Sequence, residues 1–228
     1  THKPTMFFGV PTLYAAMLAD VNKPAQRDVP MRLCVSAGEA LPKDIGERFT
    51  AQYGSEILDG IGSTEMLHIF ISNRAGAVRY GTTGTPVDGY DVEIRGDAGA
   101  PVADGEIGDL YVRGQSAALC YWADRERSRA TFEGAWTRSG DKYLRHADGY
   151  YTYAGRGDDM LKVSGQYVSP FEVEAALMAH PSVLEAAVIG TPDADGLTRA
   201  KAYVVARAGI VADDALADEL KAFVKDRL

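Results

Sequence analysis

Long apolar runs, clustered basic residues and cysteine are all scarce in this 228-residue sequence, and each scarcity removes a class of function. No apolar run approaches the roughly 20 residues that a helix needs to cross a bilayer, and no secretory apolar segment occurs. The cysteines number two, Cys34 and Cys120. Both sit in apolar local sequence, so both are expected to be reduced core thiols of a cytoplasmic protein. Lys and Arg total 24 against 32 Asp and Glu, for a net charge of −8. Without a basic run that balance disfavours a nucleic-acid surface, although local donors can still hold a small anion. The histidines, His2, His68, His146 and His180, lack zinc-ligand spacing, and no Gly-x-Ser-x-Gly nucleophile elbow is present.

What is present suffices for real cores. Apolar residues make up 46% of the chain and charged residues 25%, enough for one large or two ordinary domains. There is no initiator Met: Thr1 leads almost directly into the apolar run 6–10, and residues 211–228 read as a helix that simply stops. The chain is therefore expected to be an internal piece of a longer protein.

Residues 5–10 read as a strand, after which Pro11 opens a helix with Leu13, Ala16 and Met17 on one face. Residues 31–42 give a second buried strand ending in a Gly turn, 43–52 a helix and 56–62 a third strand. Strand–helix alternation argues for a parallel sheet, whose ligands sit beyond the carboxyl ends of the strands. The turns at Gly38 and at Gly60–Gly62 fall at such ends. From 79 to 153, short alternating strands such as 92–95 and 109–114 argue for a small antiparallel, barrel-like subdomain. From 157 onward come a hairpin, a capped helix at 170–180, strands at 183–190 and 200–207, and a last helix. In that helix Leu216, Leu220, Phe223 and Val224 form one apolar stripe.

Three stretches and one histidine could carry chemistry. In LDGIGSTE (58–65) a strand feeds a Gly turn, followed by Ser63, Thr64 and Glu65. Bare N–H groups and a Thr hydroxyl at such a turn suit phosphate oxygens, and Glu65 is a hard ligand suited to Mg²⁺. The same residues also fit a helix start capped by Ser or Thr. In WTRSGDKY (136–143), Ser-Gly-Asp has the composition of a hairpin loop. In 155–174, Ser169 as N-cap, Pro170 at the first helical position and Glu172 three residues after the cap form a capping box. Gly157 and Gly165 there fit ordinary turns. Arg156-Gly157-Asp158 spells a cell-adhesion tripeptide, but nothing suggests export. His68 stands among Leu, Ile and Phe, as a satisfied core residue or as the polar edge of an apolar pocket.

Two of these stretches, in this order, resemble the adenylate-forming enzymes, which use ATP to activate carboxylic acids. Residues 155–174 look like their hinge and first C-terminal hairpin, and 58–65 like their phosphate-facing turn. KPTMFFGVPTLYAAML (3–18) and GIGSTEMLHIFISN (60–73) are similar to the corresponding segments of benzoate–CoA ligases within that superfamily. The resemblance implies an α/β fold: residues 1–155 as the second half of a large N-terminal domain, parallel sheet plus β subdomain; a hinge at 156–158; and residues 159–228 as the start of a small, mobile α+β C-terminal domain. It places Thr64 on phosphate and Glu65 on Mg²⁺. Asp59 would read the adenine amino group, and Ile61 stands where an aromatic ring usually stacks on the base. Gly38, Glu39 and Ala40 would border the other side of adenine. Asp141 would accept both ribose hydroxyls, with Ser139 at a variable position, and Arg156 would add a ribose contact. Asp158 matches the hinge residue, with Gly157 beside it. Ser164, Gly165 and Gln166 would border the CoA tunnel. Gly62, His68 and Ile69 would line an aryl pocket, Gly62 letting a flat ring lie against the backbone.

The implied reaction consumes ATP, CoA and a benzoate-like acid with Mg²⁺, and yields aroyl-CoA, AMP and pyrophosphate. The family's phosphate loop lies upstream of this chain and its catalytic Lys beyond Leu228, so the isolated chain is expected not to adenylate benzoate. Poor solubility is also expected, because a truncated sheet exposes an apolar edge. Expected partners are the aryl carboxylate, ATP and CoA, without nucleic acid or membrane; a homodimer is one option for the full-length parent. The alternatives are another acyl-activating enzyme, for fatty or amino acids, or a non-catalytic nucleotide-binding module.

Overall fold

The computed structural model describes residues 3–163, 166–193 and 197–228. The chain divides into two compact units, Thr1–Tyr153 and Ala154–Leu228. The first opens with β1 (Met6–Gly9), α1 (Pro11–Ala19), β2 (Leu33–Ser36), α2 (Lys43–Tyr53) and β3 (Ile57–Gly62). β1, β2 and β3 pair in parallel, with Phe7 beside Cys34 and Cys34 beside Ile57, as the strand–helix alternation requires. β4 (Ile69–Ser72) and β5 (Thr85–Pro86) add antiparallel, completing a five-stranded sheet that the alternation pattern does not announce.

The buried face of α1 is not the one read from its apolar residues. Pro11, Tyr14 and Leu18 are buried, while Leu13 is 43% exposed. A helix apolar on nearly every side offers no single stripe, and ring packing decides. Tyr14 sits edge-on to Phe7 and Phe49, and its hydroxyl donates to the Val35 carbonyl at 2.7 Å. β1 is a sheet edge, and Phe8 on it is 67% exposed.

A second sheet follows from β6 (Asp91–Arg95), β7 (Ile107–Arg113), β8 (Phe132–Glu133), β9 (Trp136–Arg145) and β10 (Tyr151–Arg156), with α3 (Arg125–Thr131) before β8. Its order is β10-β9-β7-β6 with β8 on β9, an open antiparallel sheet and half of a barrel. Leu110, Val112 and Tyr143 pack there against Phe70 and Ile71 of the first sheet. The seam is laced by backbone: Thr83 N–H donates to Tyr151 O at 2.9 Å, and Tyr151 N–H to Gly84 O at 2.8 Å. Cys34 is buried as expected, but Cys120 is exposed. Its loop leaves the sheet between β7 and α3, so its apolar neighbours Leu119 and Trp122 are exposed too and make no core.

The second unit contains the hairpin β11 (Leu161–Val163) and β12 (Gln166–Val168), α4 (Pro170–Met178), the antiparallel pair β13 (Val183–Pro192) and β14 (Thr198–Ala206), and α5 (Asp214–Lys225). Ser169 Oγ accepts the Glu172 N–H at 3.2 Å with Pro170 at the helix start, as the capping pattern requires. Leu216, Leu220 and Val224 of α5 pack with Leu177, Val183 and Val188.

Gly84 has φ +103°, and a Cβ there would lie 2.2 Å from the Ser72 backbone; Gly134 has φ +66° with open space around it. Gly84→Ala is expected to cost at least about 2 kcal/mol in urea unfolding. Gly134→Ala is expected to cost only the left-handed penalty of about 1 kcal/mol. Equal losses would show that the Ser72–Gly84 approach carries no special weight.

Candidate functional site

β3 ends in Asp59-Gly60-Ile61-Gly62. Asp59 is 5% exposed. Burial dominates its ionisation and pushes it up to about 8, although the N–H groups of Leu41 and Gly60 bond the carboxyl. Its Oδ1 has no partner among the described residues, and neither has Oγ of Ser36, its register partner on β2. Buried oxygens left open at the carboxyl ends of adjacent parallel strands are suited to a ligand that brings its own donors. Leu41 belongs to the loop 37–42, where Gly38 has φ +94° and Glu39 is exposed, so that loop and Asp59 meet.

The turn after β3 is not a helix start. Met66 N–H donates to Ser63 O and Oγ at 3.3 and 3.2 Å, and Leu67 N–H to Thr64 O at 3.3 Å. These consecutive turns lead straight into β4. The chain itself requires Gly62 to be small: a Cβ would lie 2.4 Å from the His68 carbonyl oxygen. The returning backbone, across a register shift at Ile61/Gly62, fills that space. Thr64 is exposed, Ile69 half-buried, and Ile61 packs on the core. His68 is exposed rather than a core residue; its Nδ1 lies 2.8 Å from the Ile69 carbonyl and its ring is edge-on to Tyr90.

Glu65 is held from the β7–α3 loop. Tyr121 Oη donates to its Oε1 at 2.5 Å, and Ala118 N–H donates to its carbonyl at 2.7 Å. Arg127 lies over the Tyr121 ring at 4.2 Å. Burial opposes the charged form of Glu65. The Tyr121 hydroxyl, its own N–H, the Ser63 hydroxyl and Arg127 outweigh it and hold the carboxyl below its ordinary range. α3 has no buried residue. It is capped by Asp124, whose Oδ1 accepts the Arg127 N–H at 3.0 Å, and it presents Ser128 Oγ to the Tyr121 N–H at 2.9 Å. No cluster of three or more acidic, His or Cys side chains occurs among the described residues. A single ionised carboxylate fits Mg²⁺ held mainly by phosphate oxygens and water.

Ser139-Gly140-Asp141 is not a hairpin loop but a bulge inside the continuous strand β9. The register with β7 jumps from Tyr111–Arg138 to Asp109–Lys142. Gly140 supplies φ +83°, and Ser139 Oγ accepts the Asp141 N–H at 3.1 Å. The composition of a turn and of a bulge is the same, which explains the misreading. Beneath lies Tyr143, 1% exposed, its hydroxyl 3.1 Å from Thr83 Oγ1. Burial first, then the Asp141 and Asp59 carboxylates, raise its pKa well above the ordinary value. The charges of Asp59 and Asp141 thus both bear on this phenol, and Leu41 of the loop 37–42 meets Asp59.

In the second unit Arg156 Nε donates to Asp158 Oδ1 at 3.2 Å. Gln166 opens β12, while Ser164 and Gly165 lie outside the described residues. Sequence reasoning passed over Tyr121, Arg127, Tyr143 and Asp109. Asp109 had a signal, a lone charge in the apolar run IGDLYV; the tyrosines, among twelve, had none.

The AMP-binding enzyme family model matches residues 1–122, and that of the AMP-binding enzyme C-terminal domain matches residues 172–228. The benzoate–CoA ligase of Thauera aromatica is 57% identical over 228 residues, all of this chain and 43% of that protein. The 4-hydroxybenzoate–CoA/benzoate–CoA ligase of Rhodopseudomonas palustris is 55% identical over 230 residues, covering 100% of this chain and 42% of its own length. The crystal structure of a benzoate CoA ligase from Burkholderia xenovorans superposes with a TM-score of 0.93 at 64% identity, covering 100% of this chain and 45% of that one. The chain thus spans less than half the length of these relatives, and it belongs to the AMP-binding enzyme family.

Proposed function

We propose that this chain supplies the adenosine-reading part, and part of the acid pocket, of an AMP-forming aryl-acid–CoA ligase of the benzoate type. The observation that carries the reading is the pair of buried oxygens, Asp59 Oδ1 and Ser36 Oγ, left without partners among the described residues at the carboxyl ends of adjacent parallel strands. The identity to benzoate-activating relatives supports the choice of acid.

In this reading Asp59 accepts from the adenine amino group, between Ile61 and the Gly38–Glu39–Ala40 loop. Asp141 accepts from the ribose hydroxyls, joined by Arg156. Thr64 donates to phosphate, and Glu65 faces the phosphates ionised. Mg²⁺, when bound there, would offset phosphate charge as the carboxylate attacks the α-phosphorus. The acyl-adenylate and pyrophosphate result, and CoA then displaces AMP through a tunnel bordered by Ser164, Gly165 and Gln166, after rotation about Asp158. His68 and Ile69 edge the aryl pocket, with Gly62 keeping the turn tight beside it. The phosphate loop and adenylating lysine belong to sequence outside these residues. A parent of this kind works in the cytoplasm; no helix among the described residues is long and apolar enough to cross a membrane.

Calorimetric titration with AMP tests the ribose assignment. Loss of a charge-assisted hydrogen bond worth ~1.5–3 kcal/mol should weaken Asp141→Ala roughly tenfold or more. Equal affinities would remove Asp141 from the site.

Exchanging these 228 residues into the Thauera aromatica ligase is expected to preserve benzoate activation. His68→Ala in that hybrid should change the ranking of benzoate against substituted benzoates. A hybrid preferring fatty or amino acids would favour the other acyl-activating reading.

Asp59 rises from an ordinary 3.8 to about 8 on folding, so the folded chain keeps a proton that the unfolded chain releases above that lower value. Its contribution is full at acidic pH and lost as pH climbs through about 8. Asp59→Asn should match the parent's melting temperature near the acidic end of this window and exceed it at the alkaline end. Parallel melting curves across the window would show that Asp59 folds already ionised.

A further inference from the structure

We propose that Asp109 is a positioning residue for nucleotide binding: it pins both ends of the Ser139–Asp141 bulge, and so aims the carboxylate that receives the ribose. The proposal rests on the reading of Asp141 given above.

Asp109 lies in β7, a strand whose five central residues are all buried, and is itself 7% exposed. A leucine would suit such a position, and burying a carboxylate there costs desolvation unless cations meet it. They do. Arg138 Nη2 is 2.9 Å from Oδ2, and Lys142 Nζ, on a side chain only 15% exposed, is 3.0 Å from Oδ1. Oδ1 makes no well-angled hydrogen bond, so the Lys142 contact is an ion pair.

The two cations are not arbitrary neighbours. Arg138 is the last residue of β9 in register before the bulge, opposite Tyr111, and Lys142 is the first after it, opposite Asp109. Five residues of β9, 138–142, thus face three of β7, 109–111, so the excess is two. An even excess leaves the inward and outward alternation of side chains intact on both sides. The alternation therefore does not by itself forbid β9 from sliding by two, although the slide would set Asp141 opposite Gly108 in the buried place of Tyr143. A single carboxylate gripping both bracketing residues opposes it further, because sliding separates one cation from it, and fixes the two ends of the bulge against each other. Ser139 and Gly140 then shape a loop of fixed ends, and Asp141 leaves it in one direction.

The test compares AMP with 2′,3′-dideoxy-AMP, which lacks the hydroxyls Asp141 would receive, by titration into the full-length hybrid of the Thauera aromatica ligase that carries these 228 residues. Wild type should prefer AMP. Asp109→Asn should lose up to about tenfold for AMP while binding the dideoxy analogue as before, so the preference collapses. Asp109→Glu should restore part of it. If Asp109→Asn does not fold, Lys142→Met and Arg138→Met, each removing one arm of the clamp, carry the same comparison. An unchanged preference, or equal weakening of both nucleotides, overturns the proposal. Asp141→Ala separates the two levels. If it abolishes the preference while the clamp variants retain it, only the role of Asp109 falls. If it too leaves the preference intact, the ribose reading falls and takes this one with it.

Discussion

The polar architecture of the first unit follows from one constraint: carboxyl groups placed where water is scarce must be neutralised, paired or re-aimed. Four residues show four responses. Asp59 has backbone donors but no cation, and its pKa climbs to about 8. Asp109 is gripped by Arg138 and Lys142. Glu65 gains a phenol donor and a nearby guanidinium, and remains acidic. Asp141 is carried out of the ladder on a bulge, with Ser139 receiving its N–H. Each response is local: Glu65 is held across the seam where the parallel strands meet the antiparallel sheet, whereas Asp109 lies on the face of β7 alternate to Leu110 and Val112, which pack there.

That seam exists because backbones come unusually close. Gly84 lies against the Ser72 backbone, and Gly62 against His68 and Ile69, at separations no Cβ permits. The first approach lets Tyr151 bond across to residues 83 and 84, and the second folds the β3–β4 turn back so that Glu65 reaches Tyr121. Tyr143 fills the space between, bonded to Thr83. Packing density and polar placement are therefore one problem: widening either glycine would move a carboxylate as well as a strand.

Much of this was legible in the sequence where local chemistry decides. Ser169, Pro170 and Glu172 announce their helix because cap geometry needs only those residues. The parallel strands β1 to β3 follow from alternation, and Leu216 and Leu220 from helical spacing. Local reading failed where a distant partner decides. Ser-Gly-Asp serves a hairpin loop and a strand bulge equally, and only the register of β7 selects the bulge. Ser63 and Thr64 could cap a helix, but β4 returns too soon for one. Cys120 has apolar neighbours, Leu119 and Trp122, that the loop leaves exposed. The same limit applies to the site. Asp59, Glu65 and Asp141 stand in readable motifs, whereas Tyr121 and Asp109 matter only through what folding sets beside them.

The strand and turn that carry Asp59 and Glu65 hold them six positions apart and push them in opposite directions. Asp59 sits inside the strand, where burial outweighs two N–H bonds; Glu65 sits in the turn, where donors and Arg127 outweigh burial. In the proposed ligand geometry that opposition is useful. A purine edge offers donors and acceptors without charge, and meets an uncharged carboxyl at little electrostatic cost. The phosphates attract metal, and a carboxylate kept ionised is suited to face them. Exchanging the two environments would set a charge under the base and a neutral acid before the metal. In that geometry a short segment would separate base reading from charge balancing by depth and by the donors each carboxyl meets.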